Sequence, residues 1–428
     1  MASQIGWIDF SPRHRDRVRK FMDLMGMGGV VDELGIGIIR DAMSNLIFPG
    51  FSTLYTRAKY FFITPYILED GEKPSNKKYG KDYFKKAEKE TNEIIIRFYR
   101  EHPDRSSESY FGKVKQDGVL KRQPSEIYWN GMTHLHLIKT ESTLDQMLLN
   151  RHSTVEELLS NNRGDDTTKE QGEYKSHGFD GVSYTPDWQE YIKDNGLTLS
   201  RIEAEILRDR LLKFTPDSLP AALASSNSLW EKYLIATNGY DSNDPLCNPL
   251  LSFIRTSLPD IENISLREHL IMSHDLSLFL YGIHIAYNLW LRIKTQASDT
   301  YIRKLRELGK LWYSSLNVKM LDYSNFDIRK CMRYANVKLP TEKFLKDVQT
   351  LIHSSKSWDE IENKLCGLVE KQEQWNKKAK SRFLKIEKGQ VIDETKKEEW
   401  VGLGLINYRY AATLSIMKDL YEGLKKID

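Results

Sequence analysis

Paired helix-start signals recur along this chain and constrain its fold more than any other feature. In a capping box, Ser or Thr at the N-cap is followed three residues later by Glu or Gln, and each side chain bonds the free backbone N–H of the other. Such pairs occur at Ser153/Glu156, Ser200/Glu203, Ser265/Glu268 and Ser357/Glu360. Apolar residues at helical spacing follow each pair. The sequence therefore predicts a mainly α fold.

The C-terminal part shows this pattern most clearly. After Ser200, the apolar residues Ile202, Ile206 and Leu207 share one helical face. Alternating strand patterns are scarce, so residues 198–428 are predicted to form an α-helical domain. Helices are expected near 200–214, 218–237, 266–294, 300–317, 341–354, 357–385 and 397–425.

The N-terminal part, residues 1–150, predicts a second helical domain built from shorter elements. Helices are expected over 32–42 and from 52 or 53 to 68, with Pro65 as a kink or a stop. Residues 112–120 could form a small hairpin, which would make the domain winged-helix-like. A polar stretch at 161–177 contains two glycines and no aliphatic residue. Residues 151–197 are therefore interpreted as a linker and connecting segment.

Charge and cysteine content favour a folded cytoplasmic protein. The 428-residue chain has a net charge of +3, which neither indicates nor excludes a nucleic-acid partner. Its three cysteines are widely spaced, as expected in a reducing compartment. We expect no signal peptide and no membrane partner, because the most apolar stretch, 276–291, contains His284 and Asn288 and is better explained as a buried helix.

No complete catalytic, cofactor or metal motif is found. The glycine-rich segments at 25–29, 35–37 and 402–404 complete neither a dinucleotide fingerprint nor a P-loop, so no cofactor is expected. The close histidines His134 and His136 lack a third ligand nearby. Glu173-Tyr174-Lys175 resembles half of a restriction-type nuclease site, but it falls in the polar linker. We expect neither catalytic nor metal-binding residues.

Basic residues beside aromatic ones are the strongest candidates for a binding site. Cations can neutralise phosphates and tyrosines can stack on bases. The segments 55–61 and 109–115 both combine the two residue types. The alternative is that the aromatics are core residues and the cations are solvated. The predicted nucleic-acid-binding residues are Arg40, Arg57, Lys59, Lys113, Lys121 and Arg122.

Several segments also resemble an uncharacterised bacterial family defined by a domain of unknown function. They are Gly6–Ser11, Asp32–Ala42, Phe48–Gly50, Thr56–Phe61, Pro65, Pro124–Gly131 and Asn407–Tyr410. The resemblance supplies no catalytic residues. It implies an accessory role at bacterial anti-phage defence loci, beside helicases, ATPases and methyltransferases.

These observations lead to three functional hypotheses. The first is a non-enzymatic subunit of an anti-phage defence system that binds DNA or docks a partner ATPase, helicase or nuclease. The second is a metal-dependent nuclease effector. The third is a scaffold that binds only other proteins of such a complex.

Overall fold

Helices account for all the regular secondary structure of the residues that the structure describes. A computed structural model describes residues 32–72, 81–105, 107–113, 122–149, 187–390 and 398–426. Within these ranges there is no β-strand, which confirms the mainly α prediction. The expected hairpin at 112–120 and the expected linker at 161–177 lie largely or entirely outside the described residues. No helix in the described ranges is long and apolar enough to cross a membrane.

The helices are numbered in chain order. The first eight are α1 (Gly37–Ile47), α2 (Tyr60–Glu72), α3 (Lys81–Glu101), α4 (Pro124–His134), α5 (Trp188–Asn195), α6 (Arg201–Phe214), α7 (Leu219–Ser225) and α8 (Asn227–Gly239). The next eight are α9 (Pro249–Ser257), α10 (Ile264–Lys294), α11 (Asp299–Lys319), α12 (Ile328–Met332), α13 (Leu339–Ser354), α14 (Trp358–Lys377), α15 (Arg382–Glu387) and α16 (Tyr410–Leu424). Short 3-10 turns occur at Pro103–Arg105, Leu258–Asp260, Tyr323–Asn325 and Lys378–Lys380.

The chain divides into two compact units, and each unit combines separated stretches of sequence. Unit 1 contains the described residues of 1–41 and 272–406, and unit 2 contains those of 42–271 and 407–428. Three consecutive segments, 1–150, 151–197 and 198–428, were expected from the sequence. Each observed unit instead combines two separated stretches of the chain. In unit 2, α16 packs against α6, which places the end of the chain beside residues from its middle.

The helix-start signals give a mixed outcome. Ser200 and Glu203 form the predicted reciprocal capping box, and Ser357 accepts a hydrogen bond from the Glu360 N–H. The Ser265/Glu268 prediction is wrong, because α10 begins at Ile264 and Asn263 caps it by accepting the Leu266 N–H at 2.9 Å. The pair Ser153/Glu156 lies outside the described residues.

Capping by serine also explains two helices that are shorter than expected. The predicted helix over 218–237 is interrupted at Ser226, whose extended backbone ends α7 and whose side chain caps α8. The predicted helix over 357–385 ends at Lys377, because Lys378 has a φ of +50°. Ser381 then caps the separate helix α15.

The buried helix predicted at 276–291 is confirmed. Its aliphatic residues are almost fully inaccessible, and His284 lies among them with a ring nitrogen 3.0 Å from the Leu280 carbonyl oxygen. Burial lowers the pKa of His284 to about 4, so the neutral ring is favoured. Gly402 lies against this ring with a φ of +88°, and a Cβ there would come within 2.4 Å of His284 Cδ2. The last predicted helix, over 397–425, starts only at Tyr410, and the described residues 398–409 are not helical.

Candidate nucleic-acid interface

Arg57, one of the predicted phosphate contacts, is buried in unit 2. It lies three residues before the start of α2 and is 5% exposed. Its Nε donates to both carboxylate oxygens of Asp419 at 3.0 Å, and its Nη1 donates to the Tyr99 hydroxyl at 3.0 Å and to Glu108. Burial alone would lower the pKa of Arg57, but Asp419, Tyr99 and Glu108 together outweigh burial and raise that pKa above its usual range. The guanidinium is thus a permanently charged internal link.

Lys59 is buried even more completely, at 1% exposure. Its Nζ lies 2.7 Å from each carboxylate oxygen of Glu203 and 4.3 Å from the centre of the Tyr191 ring. Glu203 also accepts the Tyr66 hydroxyl at 2.8 Å and the Ser200 N–H at 2.8 Å. The capping box of α6 therefore also supplies the counterion of Lys59. A capping-box glutamate at a helix start gives no sign of this second role.

These positions correct the expectation that Arg57 and Lys59 lie at the surface. Both neighbours predicted to stack on bases are also in the core, since Tyr55 is 4% exposed and Tyr60 is 1% exposed. Tyr55 stacks on Tyr128 instead, with ring centres 4.2 Å apart. The aromatic residues in this segment are core residues, as the alternative interpretation held, and the two cations are ion-paired beneath the surface.

The remaining predicted residues are distributed between the two units. In unit 1, Arg40 is half-buried and bonds Asp41 at 2.7 Å. In unit 2, Lys113 is exposed and donates to the Glu108 carbonyl at 2.9 Å, while Arg122 lies 3.8 Å from Glu126. Lys121 lies outside the described residues. Phosphate contact stays a prediction for these four residues.

The candidate metal and nuclease residues do not converge in the part of the chain that the structure describes. Those ranges contain no group of three or more His, Cys, Asp or Glu residues able to hold a metal ion. His136 stacks on Phe214 with ring centres 4.1 Å apart. Glu173 and Lys175 lie outside the described residues, so the nuclease hypothesis stays a prediction.

A basic segment that the sequence interpretation missed follows α14 in unit 1. Residues 377–390, here called the basic segment, contain six Lys or Arg and one Glu. Its net charge of +5 exceeds the +3 of the whole chain, so the rest of the chain is acidic overall. The run Lys377–Lys380 falls within the helix expected over 357–385. The structure instead ends the helix at Lys377, and a 3-10 turn and the short helix α15 follow.

The basic segment has a paired side and an unpaired side. The buried carboxylate of Glu33 lies 3.2 Å from Lys377 Nζ and 3.2 Å from Arg382 Nη1. The other four cations of the segment form no ion pair with any described residue, and three of them are exposed. These four are Lys378, Lys380, Lys385 and Lys388. An anionic partner could therefore approach them without displacing an existing contact.

An exposed tryptophan lies one helical turn or less from this segment. Trp375 precedes Lys377 on α14 and remains 37% exposed. Lys338 places its Nζ 6.0 Å from the centre of the indole ring. Surfaces that bind single-stranded nucleic acid typically combine basic side chains with an accessible aromatic ring.

Comparison with known protein families gives one match. The profile of a family described as a family of unknown function (DUF6361) matches residues 2–233, which is more than half of the chain. The chain belongs to the DUF6361 family. No curated protein and no solved structure matches it.

The buried, ion-paired cations and the basic segment of this DUF6361 protein lie on different sides of the end of the matched range. Arg57, Lys59 and Glu203 lie inside residues 2–233, whereas Asp419 and the whole basic segment lie beyond them. The family match therefore includes the internal Lys59–Glu203 pair but not the candidate surface. The sequence signal that could have found the surface is the local net charge over 377–390.

Proposed function

We propose that this protein is a non-enzymatic nucleic-acid-binding protein and that the basic segment is its interface. The observation that supports this proposal is the set of four lysines in residues 377–390 that no described carboxylate neutralises. A carboxylate partner within the fold would compete with phosphate for each cation. The paired cations Arg57 and Lys59 are therefore not part of the proposed interface.

The neighbouring tryptophan favours a single-stranded partner. Unpaired bases can stack on the exposed Trp375 ring, while the lysines contact the phosphates. A base in a duplex would first have to leave its stack.

The test removes the four unpaired lysines together. Binding of a fluorescent single-stranded oligonucleotide is measured by anisotropy between 50 and 300 mM KCl for the wild-type protein and for the variant with Lys378, Lys380, Lys385 and Lys388 changed to Ala. Each lost phosphate contact reduces the slope of log affinity against log salt by about 0.7 for single strands. The slope should therefore decrease by up to about 3, and the affinity should fall at every salt concentration.

A second variant separates the surface from net charge. Lys85, Arg303, Lys304 and Lys364 are exposed, have no ion pair among the described residues and lie outside the basic segment. Changing these four to Ala removes the same charge, and the salt slope should decrease by less than about 1. Equal losses in the two variants, or no binding by the wild-type protein at 50 mM KCl, would contradict the proposal.

We propose further that the protein acts as a subunit of a bacterial anti-phage defence system and docks a partner ATPase, helicase or nuclease. The support for this part is the sequence resemblance described above. Affinity purification of the tagged protein from its native host should recover the products of adjacent genes. Failure to recover any of them from cells challenged with phage would count against a shared complex.

A further inference from the structure

Two buried glutamates hold the ends of the 3-10 turn in the basic segment. Glu33 is 4% exposed, and its carboxylate lies 3.2 Å from Lys377 Nζ and 3.2 Å from Arg382 Nη1. Glu373 is fully buried and accepts the Ser381 hydroxyl and, at 2.7 Å, the backbone N–H of residue 382. The turn lies between these two points of attachment, and it carries two of the four unpaired lysines. Both of its ends are therefore bound to the core of unit 1.

The position of Glu33 is itself fixed by two side-chain amides of α14. Asn376 Nδ2 donates to the backbone carbonyls of Asp32 and Glu33, each at 3.0 Å. Gln372 Nε2 donates to the Leu34 carbonyl at 2.6 Å. These carbonyls lie before α1, where no helix supplies them with a donor. Because three consecutive residues are bound to α14, the Glu33 carboxylate is a fixed anchor and not a mobile surface charge.

The conformation of the turn is one that the chain would not favour without these contacts. Lys378 has a φ of +50°, which residues with a Cβ rarely adopt. Lys377, Lys378 and Lys380 also place three positive charges within four residues, and like charges at such short range repel each other. The two glutamates hold the turn against both effects.

We propose that Glu33 and Glu373 are positioning residues of the basic segment, which hold the turn so that Lys378 and Lys380 meet a nucleic-acid strand together. This role rests on the proposed function, because it concerns the same surface. A turn that is held in advance avoids the cost of ordering it when the strand binds. The two paired cations of the segment thus contribute to binding by fixing the turn and not by contacting phosphate.

Glu33→Gln tests this role, because charge alone and positioning predict opposite results. The change removes a negative charge and releases two cations, so charge alone predicts tighter binding of a single-stranded oligonucleotide. Loss of positioning predicts binding weaker by about threefold or more, measured by fluorescence anisotropy. The salt slope should change by less than about 1, because all four unpaired lysines remain. The control Asp347→Asn removes an exposed charge of α13 that has no ion pair among the described residues, and it should not weaken binding.

Trypsin cleavage examines the turn in the absence of nucleic acid. Trypsin cuts after lysine where the chain opens locally, and mass spectrometry gives the rate at each site. Cleavage after Lys378 and Lys380 should be about fivefold faster or more in Glu33→Gln than in the wild type. Cleavage after Lys364, in the middle of α14, measures global unfolding and should keep its wild-type rate. Unchanged cleavage in the turn, or an equal increase at Lys364, would overturn the inference.

Ser381→Ala keeps the test decisive if Glu33→Gln does not fold. It changes no charge, and it removes the hydroxyl that donates to Glu373 and caps α15 by accepting the Leu384 N–H at 3.1 Å. Charge alone predicts unchanged oligonucleotide binding, whereas loss of this attachment should weaken binding about twofold or more. Unchanged or tighter binding by a folded variant would overturn the positioning role and leave the proposed function intact. No binding by the wild-type protein at 50 mM KCl would contradict both.

Discussion

Replacing Lys59 by Met should greatly reduce the stability of this protein, although the substitution removes only one charged group. Methionine preserves most of the apolar stem, so little cavity is created. The change leaves Glu203 at 2% exposure without its cation. Two other donors, the Tyr66 hydroxyl and the Ser200 N–H, still reach Glu203 but supply no full positive charge.

The expected loss can be worked out from the geometry. At 2.7 Å between Nζ and Oε1, two unit charges attract by about 6 kcal/mol at an effective dielectric constant of about 20. Desolvation of both groups offsets part of this attraction in the intact pair. Removing one member of a buried pair typically costs about 3–5 kcal/mol, because the other charge remains buried. We expect a loss of that size for Lys59→Met.

Urea unfolding at pH 7, followed by circular dichroism, measures this loss. Lys85→Met is the matched control, since Lys85 is an exposed lysine on α3 and its replacement should change the free energy of unfolding by less than about 0.5 kcal/mol. Adding Glu203→Gln to Lys59→Met should restore at least about 1 kcal/mol, because the uncompensated charge is then gone. Equal midpoints for Lys59→Met and Lys85→Met would refute the reasoning.

Two further predictions concern packing and pH. In Gly282→Ala, the new Cβ would lie 2.0 Å from Trp312 Cζ2. We expect the free energy of unfolding, measured by urea unfolding, to fall by about 1–3 kcal/mol. The control Gly367→Ala, whose new Cβ would have nothing within 4 Å, should not lower it. Burial raises the pKa of Glu88 from 4.5 to about 7, so the folded state binds the proton more tightly than the unfolded state. Stability should therefore fall as the pH rises from about 4.5 to 7, by up to about 3 kcal/mol, and Glu88→Gln should remove this part of the pH dependence. A Gln variant with the same pH profile as the wild type would show that Glu88 is not its source.

Much of the fold could be predicted because helix starts and apolar spacing are local properties. The expected helix over 200–214 corresponds to α6, and that over 266–294 corresponds closely to α10. Positions where the backbone leaves the helix were harder to predict. The φ of +50° at Lys378 and the φ of +45° at Tyr408 occur at residues whose side chains do not favour that conformation, so tertiary contacts determine them.

The candidate site was less predictable, because a cation in a sequence does not reveal its counterion. Arg57 meets Asp419 across a separation of 362 residues, and Lys59 meets Glu203 across 144. No local pattern encodes such pairs. The basic segment was visible as a charge excess, but only the structure shows which of its lysines remain unpaired.

The Arg57–Asp419 link also affects the order of events during synthesis. Ribosomes add roughly 5–20 residues per second, so Arg57 is made roughly 20 to 70 seconds before Asp419. During that interval Glu108 can balance the charge of the guanidinium, but its Nε still lacks the carboxylate that Asp419 supplies in the folded protein. The core of unit 2 can therefore reach its final packing around Arg57 only when translation is almost complete. A nascent chain that is released before residue 419 would keep this region open and would be recognisable to proteases as unfinished.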